Sequence, residues 1–109
     1  MQIREISLKE LYDVYDVVSQ LYCDMSYKTF EDLIYDMKHM DYKMLGVFEK
    51  DILVSYAGVA IQTTLKDGRF LKVFDFKTKN EFDKTKYDAI LKEYIDDYAK
   101  MAMCTKVKY

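Results

Sequence analysis

The sequence contains no proline, only three glycines, two cysteines and one histidine, and each scarcity excludes a class of structure. Cys23 and Cys104 are too few and too far apart for a disulfide framework or a zinc site, so we expect two reduced, structural thiols. His39, the single histidine, excludes a multi-histidine metal site and lies in a polar helix end, where the helix dipole favours a basic group. We therefore expect no metal centre, and a Ser-His-Asp triad would depend on His39 alone.

Long apolar runs and an excess of one charge are also missing. No window approaches the run of about 18 apolar residues that a membrane-spanning helix needs. The N-terminus, MQIREISLKE, carries charges where a signal peptide needs an apolar run. The 17 basic and 19 acidic residues give a net charge of −2, unlike the basic face of a nucleic-acid binder. We therefore expect a cytoplasmic protein with no membrane and no nucleic-acid partner.

The scarcity of proline and glycine leaves no linker, and no repeat or low-complexity tract interrupts the chain. With 109 residues, 50% of them apolar or aromatic, the sequence is long enough for one domain with a substantial core. We therefore expect residues 1–109 to form a single domain.

Hydrophobic periodicity predicts two helices in the N-terminal part of the chain. Ser7 and Glu10 fit a capping box, in which a hydroxyl residue and an acid three positions later satisfy the first N–H groups of a helix. The apolar stripe behind them predicts a helix that ends at residues 23–24. Ser26 is the next capping candidate, and the stripe that follows it predicts a second helix to about His39.

Three strands and one long helix are predicted next, because runs of β-branched and aromatic residues are separated by short polar turns. The Asp67–Gly68 pair is a strong hairpin signal between the second and third of these strands. Within the third strand, alternation places Leu71, Val73 and Asp75 on one face. The predicted elements are the strands Gln2–Ile6, Tyr42–Glu49, Ile52–Thr64, Arg69–Thr78 and Lys106–Tyr109 and the helix Thr85–Met103.

The predicted element order is therefore β-α-α-β-β-β-α-(β). Three consecutive strands flanked by helices are typical of an α/β (α+β) domain with a mixed sheet. The long helix connects the fourth strand to the fifth, so these two strands are expected to lie parallel.

The strand segment Leu53–Ala60, the strand Leu71–Thr78 and the helix Ala89–Lys100 carry a further signal. In this order they resemble the GNAT superfamily of acetyl-CoA-dependent N-acetyltransferases, over nearly the whole chain. The resemblance implies a GNAT fold and acetyl transfer from acetyl-CoA to a primary amine. It also implies that the backbone of Phe76 and Thr78 pairs with the pantetheine arm, with the Phe76 N–H polarising the thioester carbonyl.

The same resemblance implies a pyrophosphate-binding turn of pattern Arg/Gln-x-x-Gly-x-Gly/Ala after the fourth strand. The backbone that would face the diphosphate belongs to Asp83, Lys84, Thr85, Lys86, Tyr87 and Asp88. The three diagnostic positions hold Asp83, Lys86 and Asp88 in place of the arginine and the two small residues. Glycine is needed where a backbone approaches a ligand closely, and the two carboxylates bring like charge toward the phosphates. We therefore expect acetyl-CoA binding and catalysis to be weak or absent.

Two groups of residues have both a structural and a chemical interpretation, and the sequence leaves both open. Asp83 is a suitable N-cap and Thr85 with Asp88 approximates a capping box, so the turn either caps its own helix or binds an anion. Asp75, which lies beside the implied thioester position, is either a general base toward the amine or a paired acid. The tyrosines of the helical stripes are expected in the core or at its rim: Tyr12, Tyr15, Tyr22, Tyr87, Tyr94 and Tyr98.

Two functions of different classes follow. The first is a GNAT-like N-acetyltransferase domain with weakened or lost cofactor binding and activity. The second is a non-catalytic protein-interaction module on the same scaffold. Because the sequence ends at Tyr109, within the fifth strand, we expect an exposed sheet edge that a second copy or a protein partner completes, unless the sequence is a fragment. Tyr109 is too early in the element order to be the general acid that the resemblance implies.

Overall fold

The computed structural model describes residues 1–109. Its strands are β1 (Gln2–Glu5), β2 (Lys43–Glu49), β3 (Ile52–Thr64), β4 (Gly68–Thr78) and β5 (Val107–Lys108). Its helices are α1 (Leu11–Val18), α2 (Tyr27–Met37) and α3 (Lys84–Met101), with 3₁₀ turns at Leu8–Glu10 and Lys38–Met40. The five strands form one sheet in sequence order, antiparallel except for the parallel pair of β4 and β5. The predicted fold class and the parallel last strand are confirmed.

The helix starts depend on side chains that the sequence analysis singled out. The Ser7 N–H donates to the Glu10 carboxylate over 2.9 Å, which forms half of the predicted capping box. The Ser26 hydroxyl accepts from the Thr29 N–H over 3.2 Å at the start of α2. His39 lies in the 3₁₀ turn that follows α2, at the predicted helix end.

The first helix is shorter than predicted. It ends at Val18 and not at residues 23–24, because the Leu21 N–H and the Tyr22 N–H both donate to the Val18 carbonyl over 2.9 Å and close the chain into turns. Tyr22 therefore leaves the direction of the helix and reaches the sheet. Cys23 is exposed in these turns, so the structural role expected for this thiol is wrong.

The sheet separates two hydrophobic cores. On one face, α1 and α2 pack against residues that include Met44, Phe48, Leu53 and Tyr56. On the other face, α3 packs against residues that include Leu45, Val47, Val54, Ala57, Val59, Leu71 and Val73. Strand β3 contributes to both cores, which confirms that its long apolar run is covered on two faces.

A β-bulge in β4 changes the predicted side-chain alternation. Val73 pairs with Val59 and Asp75 pairs with Gly58, so Phe74 is one residue more than β3 can oppose. Val73 faces α3, whereas Asp75 hydrogen-bonds to side chains on the face of α1 and α2. The prediction that Val73 and Asp75 share a face is therefore wrong, and the extra residue is the reason.

Strand β5 is short and is held to the start of β4. The Leu71 N–H donates to the Lys106 carbonyl over 3.0 Å, and Leu71 and Lys72 pair with β5. The Asp67 carboxylate contacts the Lys106 ammonium at 2.6 Å and also the Lys108 ammonium. The edge of β4 beyond Lys72 has no strand beside it. No helix combines the length and the apolar character that crossing a membrane requires.

Candidate functional site

Asp75 is the centre of a tyrosine cluster at the bulge of β4. The Tyr22 hydroxyl donates to Asp75 Oδ1 over 2.5 Å, and the Tyr42 hydroxyl donates to Asp75 Oδ2 over 2.7 Å. Because Tyr42 has one hydroxyl hydrogen, the Tyr56 hydroxyl donates to Tyr42 in turn, over 2.7 Å. We call Tyr22, Tyr42, Tyr56 and Asp75 the tyrosine–aspartate cluster.

Local backbone features position each member of this cluster. The turns after α1 bring Tyr22 to the sheet, and the bulge at Phe74 directs Asp75 toward the same face. Asp41 adopts a left-handed conformation with φ 58°, which acidic residues tolerate, and so turns the chain from α2 into the strand beside Tyr42.

Gly58 provides the space that Tyr42 needs. It lies opposite Asp75 in the β3–β4 ladder, and a Cβ atom at this position would lie 1.6 Å from the Tyr42 hydroxyl oxygen. Only glycine lets the ring cross the strand here and reach both Tyr56 and Asp75. An isolated glycine inside a strand is a recognised signal of such a close approach.

The tyrosine–aspartate cluster lines a cavity of about 200 Å³ between the sheet and the first two helices. Asp75 is its only charged lining residue, and the nine others are hydrophobic or aromatic. The lining residues are Val18, Tyr22, Met25, Phe30, Leu33, Ile34, Met37, Tyr42, Tyr56 and Asp75. An apolar cavity with one carboxylate is suited to a ligand with an apolar body and a cationic group.

The tyrosines of the cluster are donors at neutral pH. The hydrogen bond to Asp75, together with burial, raises the pKa of Tyr22 to about 12. Burial is the main cause that raises the pKa of Tyr42 and the pKa of Tyr56 above the ordinary range of a phenol. All three hydroxyls therefore stay protonated, and Asp75 is the only acidic group without a phenol ring among the lining residues.

At the turn between β4 and α3, the carboxylates are paired with groups of the turn and the helix and do not face a cavity. The Asp83 carboxylate accepts a hydrogen bond from the Lys86 N–H over 3.2 Å, which makes Asp83 the N-cap of α3. The prediction that Asp83 caps this helix is confirmed. The capping box expected from Thr85 and Asp88 is wrong, because the helix begins at Lys84, directly after Asp83.

Asp88 has a different role from the one predicted. It accepts from the Thr78 hydroxyl over 2.6 Å and pairs with the Lys84 ammonium one helical turn before it. The Thr78 hydroxyl also contacts the buried Ser55 hydroxyl at 2.6 Å. Although burial alone would raise the pKa of Asp88, the hydrogen bonds from Lys84 and Thr78 outweigh it and lower this pKa.

The remaining predicted cofactor positions take part in packing. Tyr87 is buried, donates to the Glu49 carboxylate over 2.7 Å and packs edge-on against Phe82. The Phe76 ring packs edge-on against Tyr109, with ring centroids 6.0 Å apart. The structure therefore brings Thr78 and Asp88 together, but places Asp75 on the opposite face of the sheet from Phe76.

The residues of the turn do not fit a diphosphate. The Asp83 carboxylate occupies the Lys86 N–H, one of the helix N-terminal donors that an anion would use. Asp88 places a second carboxylate one helical turn further on. A carboxylate about 4 Å from a phosphate would repel it by roughly 4 kcal/mol at an effective dielectric constant near 20. Lys84, which would offset this repulsion, is already paired with Asp88.

Comparison with solved structures finds this fold in several acetyltransferases. A GNAT family acetyltransferase from Staphylococcus aureus matches with a TM-score of 0.85 and 13% identity, over 98% of this chain and 83% of its own. A ribosomal-protein-alanine N-acetyltransferase from Brucella melitensis matches with a TM-score of 0.83 and 14% identity, over 99% and 78%. An aminoglycoside N-acetyltransferase in complex with CoA matches with a TM-score of 0.82 and 10% identity, over 98% and 74%. No protein-family model and no curated protein matches the sequence.

Proposed function

We propose that this chain, which has the fold of the GNAT acetyltransferases, recognises a primary amine at Asp75 and has weak or no affinity for acetyl-CoA. The site would then be the amine-accepting part of an N-acetyltransferase site. One observation supports this most directly: the Asp75 carboxylate faces an apolar cavity and is oriented by two tyrosine hydroxyls.

The cluster supplies two functions for an amine. The Asp75 carboxylate is a counter-ion for the ammonium form and a general base within reach of its proton. Tyr22 and Tyr42 fix the orientation of this carboxylate, and the burial of Tyr42 and Tyr56 excludes water from the inner side of the cluster. When bound, acetyl-CoA would supply the acetyl group, and its contacts with Phe76 and Thr78 stay predictions from the resemblance.

Affinity for the cofactor is expected to be low because the turn of α3 supplies its own anions. We expect no change in thermal unfolding with millimolar CoA or acetyl-CoA, and acetylation of primary amines at the rate of the uncatalysed reaction. A ligand at a hundred times its Kd would stabilise the fold by about 2.7 kcal/mol, so binding of ordinary strength is easily detected. A clear thermal shift with either compound would contradict the weak-binding part of the proposal.

Amine recognition is tested separately, without the cofactor. Titration of the protein with primary alkylamines, observed by NMR, is expected to shift the resonances of Tyr22 and Tyr42. The Asp75→Asn variant should lose about tenfold or more in affinity, because the counter-ion is gone. Asp97→Asn, at an exposed position on α3, is the matched control and should bind as the wild type does. Equal affinity of the Asp75→Asn variant would contradict the proposal.

A second candidate function is that of a protein-interaction module. The observation that favours it is the edge of β4 from Val73 to Thr78, which has no strand beside it because β5 pairs only with Leu71 and Lys72. Such an edge can pair with a strand of a second copy or of another protein. Light scattering over a range of concentrations tests the dimer, and a monomer at high concentration would count against it.

A further inference from the structure

The size of the cavity limits the body of the amine. An apolar cavity of about 150 Å³ stays dry and binds benzene, and a water molecule takes about 30 Å³ in the liquid. The cavity here measures about 200 Å³, which is enough for one benzene ring and one or two methylene-sized groups. Its inner wall is buried at Phe30 and Ile34, while Tyr22 and Leu33 are 40% and 42% exposed at its mouth.

The walls favour an aromatic body over an aliphatic one. Phe30, Tyr22 and Tyr42 present rings, and aromatic side chains favour edge-on or offset contacts with another ring. Met25 and Met37 add thioethers, which make favourable contacts with ring edges and adapt to irregular shapes.

The polar groups of the cavity admit only one charge on the ligand. The hydroxyl hydrogens of Tyr22 and Tyr42 already point to Asp75, and that of Tyr56 points to Tyr42. No side-chain donor is left for a carboxylate or phosphate, and no second carboxylate is present to pair with another ammonium. These features disfavour amino acids, amino sugars and polyamines.

We infer that the ligand of this cavity is an arylalkylamine, a primary amine joined to one aromatic ring by one or two methylene groups. The ammonium group contacts Asp75, and the ring lies between Phe30 and the methionines of the cavity. This inference rests on the proposed amine recognition, since it names the ligand class of the same site.

Four compounds at neutral pH test the inference by NMR titration of the full chain. They are 2-phenylethylamine, the neutral analogue 2-phenylethanol, n-hexylamine as the aliphatic amine, and spermidine as the polyamine. We expect 2-phenylethylamine to bind about tenfold more tightly than n-hexylamine, and 2-phenylethanol and spermidine to bind more weakly still. Equal affinity of n-hexylamine would overturn the aromatic assignment and leave amine recognition intact.

The other outcomes separate the two proposals. If 2-phenylethanol binds as tightly as 2-phenylethylamine, or if neither amine binds, amine recognition at Asp75 is wrong and the inference falls with it. If spermidine binds as tightly as 2-phenylethylamine, the assignment to a single-charge ligand is wrong.

A variant at the mouth of the cavity locates the binding site. Leu33→Trp fills the entrance from an exposed position on α2, so the fold should tolerate it, and we expect it to weaken 2-phenylethylamine binding about tenfold or more. Tyr35→Trp, also exposed on α2 but outside the cavity lining, is the matched control and should leave binding unchanged. Unchanged binding by Leu33→Trp would overturn the assignment of this cavity.

Discussion

The carboxylate of Asp75 in β4 and the carboxylates at the turn from β4 into α3 have different surroundings. At Asp75 a carboxylate faces an apolar cavity and is oriented by tyrosines, so it remains available to a ligand. At the turn into α3, Asp83 accepts a hydrogen bond from the Lys86 N–H. Asp88 accepts one from the Thr78 hydroxyl and pairs with the Lys84 ammonium. Under the proposed function the first region would receive a cation from outside, whereas the carboxylates of the second are paired with donors of the protein itself.

The difference follows from what each kind of site needs. A site for an amine depends on side chains that the core holds in place, and these survive as long as the core packs. A site for a diphosphate depends on bare backbone, so side chains at a few positions are enough to remove it. Side-chain changes at a few turn positions would therefore affect a diphosphate site without disturbing a site that the core holds in place.

Gly58→Ala should break the cluster and have the largest effect. The new Cβ would lie 1.6 Å from the Tyr42 hydroxyl oxygen, so the ring must leave Asp75. We expect a loss of about 3 kcal/mol in the free energy of unfolding, at the upper end of typical overpacking costs, measured by chemical denaturation. In a Tyr42→Ala background the same glycine change should cost much less, and an equal cost there would refute the steric explanation.

Lys86→Gly combined with Asp88→Gly should make the turn more like a diphosphate site. Replacing a lysine and an aspartate in a helix by glycine lowers stability by about 1 kcal/mol in total, and the pairing of Asp88 with Thr78 is lost as well. We expect CoA to raise the thermal unfolding temperature of this variant and not that of the wild type. If CoA has no effect on the variant, the side chains at 86 and 88 are not the main obstacle.

Asp83→Ala tests the cap alone. The Lys86 N–H loses its partner, so we expect a loss of about 1 kcal/mol in stability, measured by denaturant unfolding. Asp83→Ser keeps a capping oxygen and should remain close to the wild type. A full loss in the serine variant would show that the carboxylate charge, and not the cap, is what matters.

The smallest effect should appear in the pH dependence of the cluster. The pKa of Tyr22 is about 12 in the folded chain and about 10 in an unfolded one, so its protonated form is favoured by folding. Its contribution is fully present below pH 10 and is lost as the pH rises to about 12. The stability difference between the wild type and Tyr22→Phe should therefore shrink across this window, and a constant difference would argue against the Asp75 contact.

Much of the sheet was predictable from the sequence. Strand β3 was predicted with its observed ends, Ile52 and Thr64, because a continuous apolar run lies between polar turns. The cap was one of two interpretations of Asp83, and it is the one observed, because an acid just before an amphipathic stripe is a preferred N-cap residue. The GNAT resemblance is confirmed at the level of the fold, because long-range element order survives where sequence identity does not.

The candidate site was only partly predictable. Asp75 was identified, but its partners Tyr22 and Tyr42 were not, because contacts between distant segments leave no periodic signal. The bulge at Phe74 was hidden, since each residue around it suits a regular strand. The one signal that could have indicated the cluster was Gly58, an isolated glycine in an otherwise apolar strand.

The extra residue at Phe74 sets the parity of everything that follows it in β4. Asp75 faces the first two helices, and Thr78 reaches Asp88 on α3, only because the count along the strand shifts by one at this point. If Phe74 instead took a regular place in the ladder, Asp75 would face α3 and Thr78 would turn away from it, whereas deleting Phe74 would remove the bulge and leave both residues on their present faces. The cavity-facing Asp75 and the Thr78 that reaches α3 therefore depend on a single backbone irregularity.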